Sequence, residues 1–599
     1  VAEIKPRKEI KPTVIDTFKG VNYSGTAATL KTGEAVEMTN MRVTDHGGIE
    51  KRDGYQVFAD LGTGTINAMW YGEIAGAMQF IVCKTSTLYK VNLTDATYTS
   101  ISSVTGSASV KFMQFGDKLY VWAGTYLYEY DGTTLSQVTP YRPTLYINGT
   151  GAAGTGTAYE ERNRMSPNIA RETFNGNGST RIFYTSCAAI TSVTVRVNGA
   201  TVAVDSGGVN GYQLSGNAIV FGTSAAPTSG IGNIEVDYTA TGAGIVAMSG
   251  DAFTTYRFMT PFNGKTNNRM FMWGNSTYRI WSGIANGVPS MTYFPEYNID
   301  QLGNGEQITG MVVQYNTLKM FTTTQAFYSQ AETITVSGLD IDVFPVFPLN
   351  AGVGNVAPGR AIIVDNCPVT LDNGIYFWEP TAVESQTNAT RISKRIDSDL
   401  AKINLSTCRM IDLKAKTELW VVYTDASYNT IVYVYNYSKK LFYKYLIEMG
   451  STIYDLIVID DVLYFGRNSA QICRFSPTVY ADDGAAITCT WKSSHIDMGA
   501  MFYEKIMKSA FIVLAPTTAA TQFKIQFITS DEGAMVEDTV DIAVADFGTD
   551  LVPYIHYIMG QDFRFSFIQV KISLTSATKD LSIISLILPA QVQEKIRTL

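Results

Sequence analysis

A loose repeat constrains this chain more than any other feature. Its clearest copy is Phe112–Asp131, which reads strand, turn, strand, turn, strand. Apolar and aromatic residues stand two apart in it, the period of a pleated strand with one buried face. Similar phrases recur at Met78–Val91, Arg269–Trp281, Thr317–Tyr328, Gly374–Glu379, Glu418–Tyr435 and Val462–Phe475. The apolar residue that opens the middle strand of each copy is Met78, Leu119, Met270, Leu318, Ile375, Leu419 and Leu463, at gaps of 41, 151, 48, 57, 44 and 44 residues. All but the second lie near the roughly 40–50 residues of a four-stranded propeller blade. A lone blade cannot bury both faces, whereas blades packed side by side can. The competing reading is an unrelated series of hairpins in a large sandwich. The repeat predicts an all-β chain with a six- or seven-bladed β-propeller, and the long gap predicts an inserted domain.

Composition agrees. The 599 residues include 35 Tyr and 50 Gly, and only 17% are charged, as expected of strands joined by tight turns. A chain this long divides into two to four domains. The net charge of −8 and pI near 5.2 argue against an ordinary sequence-reading nucleic-acid binder, which is usually basic. No apolar run reaches the roughly 18 residues of a membrane span. Residues 1–12 are charged and lack an apolar centre, so they do not read as a secretory signal. The six cysteines show no CxxC and no cluster, which fits buried free thiols made in a reducing compartment.

In chain order, residues 1–12 read as an extended N-terminal arm carrying Lys5, Arg7, Lys8 and Lys11 against Glu3 and Glu9. Such an arm is either solvated or docked on a neighbouring subunit. Residues 13–145 read as the first part of the propeller, with part of Thr13–Leu61 supplying a strand that closes the last blade. Tyr146–Thr157 is a flexible linker by composition. It opens an inserted β-sandwich over 146–249, with short strands at Val193–Val197, Thr201–Val204, Tyr212–Leu214, Ala218–Phe221 and Asn233–Tyr238. The insert is either a structural decoration or a receptor or sugar contact. Residues 250–479 return to the propeller, and 480–599 read as a C-terminal, jelly-roll-like β-sandwich with a short helix near Pro589–Leu599. The aromatic row from Trp273 to Tyr464 reads as packing between blades in preference to a carbohydrate platform.

No catalytic constellation stands out. His46, His495 and His556 share no metal spacing, and no HExxH, GxSxG or P-loop occurs. Asp460-Asp461, Asp340-Ile341-Asp342 and Ser530-Asp531-Glu532-Gly533 are carboxylate candidates, but Asp and Ser at these points suit turns. Asp340 and Asp342 have calcium-like spacing without the rest of a calcium loop. The reading is therefore no enzyme, no cofactor and no metal.

Two phrases carry a family resemblance. Asn40-Met41-Arg42-Val43, followed by Gly47-Gly48-Ile49-Glu50-Lys51-Arg52-Asp53-Gly54-Tyr55, resembles the opening of β-propeller tail proteins of short-tailed bacteriophages, called nozzle or DNA-stabilisation proteins. There an Asn-containing strand leads through a Gly turn to a Lys/Arg-Arg-x-Gly-Tyr strand. The second echo is Ala351–Pro358 followed by Asp372–Phe377. The resemblance spans roughly Thr13–Ser476 without the insert. The insert's Phe174–Thr180 also resembles small β-modules appended to phage virion proteins. The resemblance implies a structural virion protein assembled in the bacterial cytoplasm. It would form a homo-hexameric ring below the adaptor ring under the portal, in contact with other tail proteins or fibres. Packaged double-stranded DNA would pass through without sequence-specific binding, to be retained and then released. The alternatives are a secreted or surface propeller that binds or cleaves polysaccharide, and a receptor-binding tail-tip protein.

Overall fold

The computed structural model describes residues 10–106, 110–242, 248–336, 338–380, 387–448, 450–530, 533–547 and 553–596. Five separate four-stranded antiparallel sheets, and two four-stranded stretches of a fourteen-stranded sheet, are the seven blades of a β-propeller. The chain divides into two compact units, residues 1–103 with 353–599, and residues 104–352.

The second unit holds blades two to four and the insert. Blade two is Val110–Phe115, Lys118–Ala123, Tyr126–Tyr130 and Leu135–Gln137. Blade three is Phe258–Phe262, Arg269–Trp273, Tyr278–Trp281 and Ile299–Gln301, and blade four is Gly310–Gln314, Thr317–Phe321, Ala326–Gln330 and Val346–Asn350. The second strand of each is buried almost throughout, because a blade's inner strands are covered on both faces. This is why the repeat is easiest to read there. Tyr120, Trp122, Met259 and Met270 pack blade two against blade three, and Phe262, Phe271, Met311 and Met320 pack blade three against blade four.

The insert is a sandwich of a six-stranded and a three-stranded sheet around Phe174, Phe183, Val195, Phe221, Ile234 and Tyr238. Its first strand is Thr144–Gly149, which runs into the stretch Tyr146–Thr157 expected to be a linker. That strand runs parallel to Ile169–Gly176, and a Cβ on Gly149 would lie 2.8 Å from the Phe174 ring. This glycine serves close approach, not flexibility.

The first unit holds blade one (Ile66–Ile74, Ala77–Lys84, Thr87–Val91, Tyr98–Ser103) and blades five to seven. Blade five is Ile362–Val364, Cys367–Leu371, Ile375–Pro380 and Thr387–Arg391. Ile375, taken above as opening a second strand, opens the third. The equivalent residue is Pro368, which evens the neighbouring gaps to 50 and 51 residues. Blade six is Arg409–Leu413, Glu418–Thr424, Asn429–Asn436 and Leu441–Glu448. Blade seven takes three strands from Ile453–Ser476 and its fourth, Gly54–Asp60, from near the N-terminus. Gln471 faces Asp60 and Ser476 faces Gly54 in that pairing.

The same unit contains the C-terminal sandwich. One sheet runs Met41–Val43, Ile49–Lys51, Ser582–Ile596, Tyr503–Leu514, Tyr554–Phe565, with Ile10–Ile15 also on Ser582–Ile596. The other includes Ala35–Thr39, Ala485–Ser493, Ile568–Ser576, Thr521–Thr529 and Gly533–Ile542. Phe18, Trp491, Met507, Ile525, Phe527, Ile572 and Leu588 fill the space between. Two expectations change here. The strands between residues 13 and 51 belong to this sandwich and not to the propeller's first part, because alternation alone does not say which sheet a strand will join. The C-terminal stretch is strand as far as Ile596, not helix.

Candidate functional site

The Asn40–Tyr55 phrase forms the joint where the chain leaves the sandwich and enters blade seven. Its five central residues each hold a different piece of the first unit. Lys51 is 4% exposed, and its Nζ donates to the carbonyls of Tyr480, Ser576 and Lys579 at 2.8, 3.0 and 2.8 Å. Burial pulls its pKa down. Arg52 is 2% exposed and uses all five guanidinium donors. Nε donates to Asn40 Oδ1 at 2.9 Å; Nη1 to the Asp53 carbonyl at 2.9 Å and Asp482 Oδ1 at 2.8 Å; Nη2 to Asp482 Oδ2 and, at 3.4 Å, to the Leu446 carbonyl. Burial opposes its charge, but the paired Asp482 outweighs this and raises its pKa.

Asn40 sits at φ 56°, a left-handed conformation that Asn tolerates. From there its amide donates to the Thr488 carbonyl at 2.7 Å and its Oδ1 accepts the Leu446 N–H at 2.9 Å. Asp53 takes Lys416 of blade six and lies 3.5 Å from Arg42, which also binds Glu50 at 2.6 Å. Burial raises the Asp53 pKa, but Arg42 and Lys416 more than offset it, so the carboxyl titrates below its ordinary range. At Gly54 a Cβ would fall 2.2 Å from the Ala481 carbonyl oxygen, so only glycine lets the two backbones pass. Tyr55 then plugs blade seven, with its ring 5.0 Å from Phe465 and 5.8 Å from Phe475.

Beside this joint lies a half-open cleft of about 820 Å³. Arg42, Asp45, Glu50, Lys416 and Lys439 stand on its wall. A smaller hollow of about 240 Å³ shares Arg42, Lys416 and Glu418 with it. The cations on these walls already hold partners. Lys439 binds Asp45 at 2.9 Å and the Val43 carbonyl at 3.0 Å, and the others are paired as above. Glu418 is buried, accepting the Tyr443 hydroxyl at 2.6 Å and the Trp420 indole at 2.9 Å. The chemistry is that of a joint: charges fix strands to one another.

The second phrase is also structural. Asn355 is fully buried, donates to the Ala357 carbonyl at 2.7 Å and accepts the Leu371 N–H. A Cβ on Gly374 would meet Ser393 Oγ at 2.6 Å.

Of the arm residues, Lys5, Arg7 and Lys8 lie outside the described residues, and Lys11 falls in the strand Ile10–Ile15, opposite Ala590. Asp460 and Asp461 form a two-residue hairpin turn at φ 48° and 63°. Asp340 bonds Thr335, while Asp342 bonds Arg269 and Asn263. Asp531 and Glu532 lie outside the described residues. His495 stacks on Phe567 at 3.8 Å. Among the described residues, no group of three His, Cys, Asp or Glu side chains could hold a metal. All six cysteines are free, and burial pushes the thiols of Cys83, Cys408, Cys473 and Cys489 up to about 12. The aromatic row is mostly internal: Trp273, Trp378 and Trp420 are buried, with their indoles bonded to Thr260, Thr370 and Glu418. Sequence reading did not single out Lys51 and Arg52 as buried, since Lys and Arg are rarely buried unless paired and the partners lie far away in sequence.

No family model matches the chain, and no curated protein does. Among solved structures, a chain of a mitotic checkpoint complex is 11% identical over 75% of this chain and 96% of its own, at a TM-score of 0.33. The N-terminal domain of Nup159 is 9% identical over 77% and 99%, at 0.32. A catalytically inactive virginiamycin B lyase from Staphylococcus aureus, with quinupristin, is 10% identical over 78% and 99%, at 0.31. Likenesses this distant carry no argument about what the chain does, and the propeller assignment rests on the seven four-stranded blades themselves.

Proposed function

We propose that the chain is a structural virion protein of a short bacteriophage tail. It acts as one subunit of an oligomeric ring, a nozzle that extends the portal–adaptor conduit and retains or releases the genome. One observation supports the reading. The residues that carry the resemblance, Asn40 and Lys51–Tyr55, are the buried joint between sandwich and propeller. A likeness located in the joint is a likeness in how the parts are assembled, which random turn residues would not give.

In this role the protein works by shape and assembly in place of chemistry. The ring is a homo-hexamer under the adaptor ring, formed in the host cytoplasm and carried into the virion. A net charge of −8 on each copy makes the assembly acidic, so duplex DNA is not gripped through its phosphates. Negative-stain imaging of the purified protein tests the reading and should show rings with a central opening. Particles that remain single at every concentration would count against it, as would strong, salt-sensitive binding of duplex DNA. Specific binding on a glycan array would favour the polysaccharide reading instead.

A further inference from the structure

The first strands of blades five, six, seven and one, all in the first unit, are each an end strand of their blade and lie against one another in that order. Charged side chains from blades five, six and seven meet at this seam. Arg409 of blade six reaches toward blade seven, where its Nε donates to the Tyr454 carbonyl at 2.9 Å and its guanidinium lies 5.9 Å from the Tyr454 ring. Asp455, the next residue, accepts the Met69 N–H of blade one at 2.7 Å. Arg360 ends the turn that leads into blade five, its backbone N–H donating to the Ala357 carbonyl at 3.1 Å. Arg360, Arg409 and Asp455 are all half-buried.

Donors and acceptors at this seam do not balance. Arg409 engages only its Nε, and no side chain or carbonyl among the described residues accepts from the Arg360 guanidinium. Elsewhere in the protein buried arginines are closed by carboxylates, Arg52 by Asp482 and Arg279 by Asp300, each through two nitrogens. Here Asp455 is the carboxylate that acts on both cations, yet it lies within bonding distance of neither. Burial pulls the pKa of both arginines down, and the Arg360 charge adds to the effect on Arg409, which falls to about 10. Two guanidiniums held together, half out of water and with open donors, are costly unless an anion completes them.

We propose that Arg360 and Arg409 form a binding site for a small tetrahedral oxyanion, phosphate or sulfate, at the seam where the first strands of blades five, six and seven meet. The guanidinium fork suits such an ion, because its parallel N–H groups match two oxygens of one anion. The anion joins blade five to blade six at a place where the protein's own groups leave two like charges facing each other. Asp455 sets the limit on affinity: its charge holds the arginines in place and competes with the ligand. The half-buried setting favours a free ion over the backbone of a nucleic acid. The site goes beyond the ring reading and stands whether or not the protein forms rings.

Calorimetric titration of the full-length protein with sodium phosphate, in chloride buffer at constant ionic strength, tests the proposal. Phosphate should bind with a dissociation constant of about 1 mM or lower. Arg360→Gln should weaken it at least about tenfold while the protein melts as before, since the Arg360 side chain bonds no other residue. Arg409→Gln should do the same; should it misfold for want of its bond to the Tyr454 carbonyl, Arg360→Gln alone carries the test. Asp455→Asn gives the sharper result. It keeps an acceptor for the Met69 N–H and removes the competing charge, so phosphate should bind at least about threefold more tightly. No binding to the unmodified protein, or unchanged affinity in Arg360→Gln, would overturn the site. Weaker binding in Asp455→Asn would overturn the arrangement of charges. A short DNA duplex should not displace the phosphate, and displacement would overturn the small-ion reading.

Discussion

Replacing Arg52 with Met tests whether the sandwich–propeller joint is held as described. Methionine keeps much of the side chain's length and removes five donors at once. Asp482, 7% exposed, then sits in the interior without the cation that both its oxygens are bonded to. Removing one member of a buried ion pair costs about 3–5 kcal/mol, mostly as the desolvation of the charge left behind. Part of the loss is recoverable. In the double variant Arg52→Met/Asp482→Leu no charge is stranded, and the net cost should fall to about 1–2 kcal/mol. That remainder comes from the Asn40, Asp53 and Leu446 oxygens that have lost a donor.

Trp420 and Trp491 are buried in the same unit, so intrinsic fluorescence reports its thermal unfolding. For a unit of this size about 3–5 kcal/mol corresponds to a fall of roughly 4–10 °C in Tm. The double variant should melt above the single one. A single variant that loses less than about 1 kcal/mol, or a double variant less stable than the single, would refute the reasoning.

Further outcomes follow from neighbouring residues. Gly54→Ala should lower the same transition or yield insoluble protein, because its Cβ meets backbone, 2.2 Å from the Ala481 oxygen; wild-type melting would contradict the close approach. Asp53 has a depressed folded pKa, so the stability it adds is present above its unfolded value of about 3.9 and is lost as pH falls through the lower folded value. Melting followed from pH 7 down to about 3 should therefore show a late acid loss that Asp53→Asn reduces. Asn163, fully buried, donates to the Tyr141 and Thr292 carbonyls and accepts the Phe294 N–H, so Asn163→Ala should cost the second unit about 1–3 kcal/mol in a denaturant titration. A thiol reagent at pH 8 should modify half-buried Cys367 before Cys83, Cys408, Cys473 and Cys489, as peptide mapping would reveal.

The blades were legible because their second strands are buried on both faces and read as short apolar runs, as in Leu119–Ala123 and Met270–Trp273, with Leu318–Phe321 broken only by Lys319. The slip in blade five has a local cause. Its second strand begins Cys367-Pro368, which interrupts the apolar phrase, so the next strand looked like the start. The sandwich's N-terminal strands could not be placed by pattern, since Ile10 pairs with Gln591 and Ala35 with Ser493, partners hundreds of residues away. Gly-rich Tyr146–Thr157 misled for a different reason: glycine permits close packing as well as freedom, and composition does not separate the two.

The joint was legible as a phrase but not as a function, and the physics explains the gap. Lys51, Arg52 and Asp53 are charged, and burying charge adds little net stability over apolar packing of the same volume. Their gain is in position. An apolar cluster accepts neighbours by volume, so a strand passing from sandwich to blade seven would be free to slide by two residues and still bury one face. Each buried charge here accepts only one arrangement. Lys51 needs three carbonyls from Tyr480, Ser576 and Lys579, Arg52 needs both oxygens of Asp482, and Gly54 must pass Ala481 with no side chain. Shifting Gly54–Asp60 by two residues against Gln471–Ser476 would break all three conditions together. The phrase thus fixes the register in which the last blade receives its fourth strand.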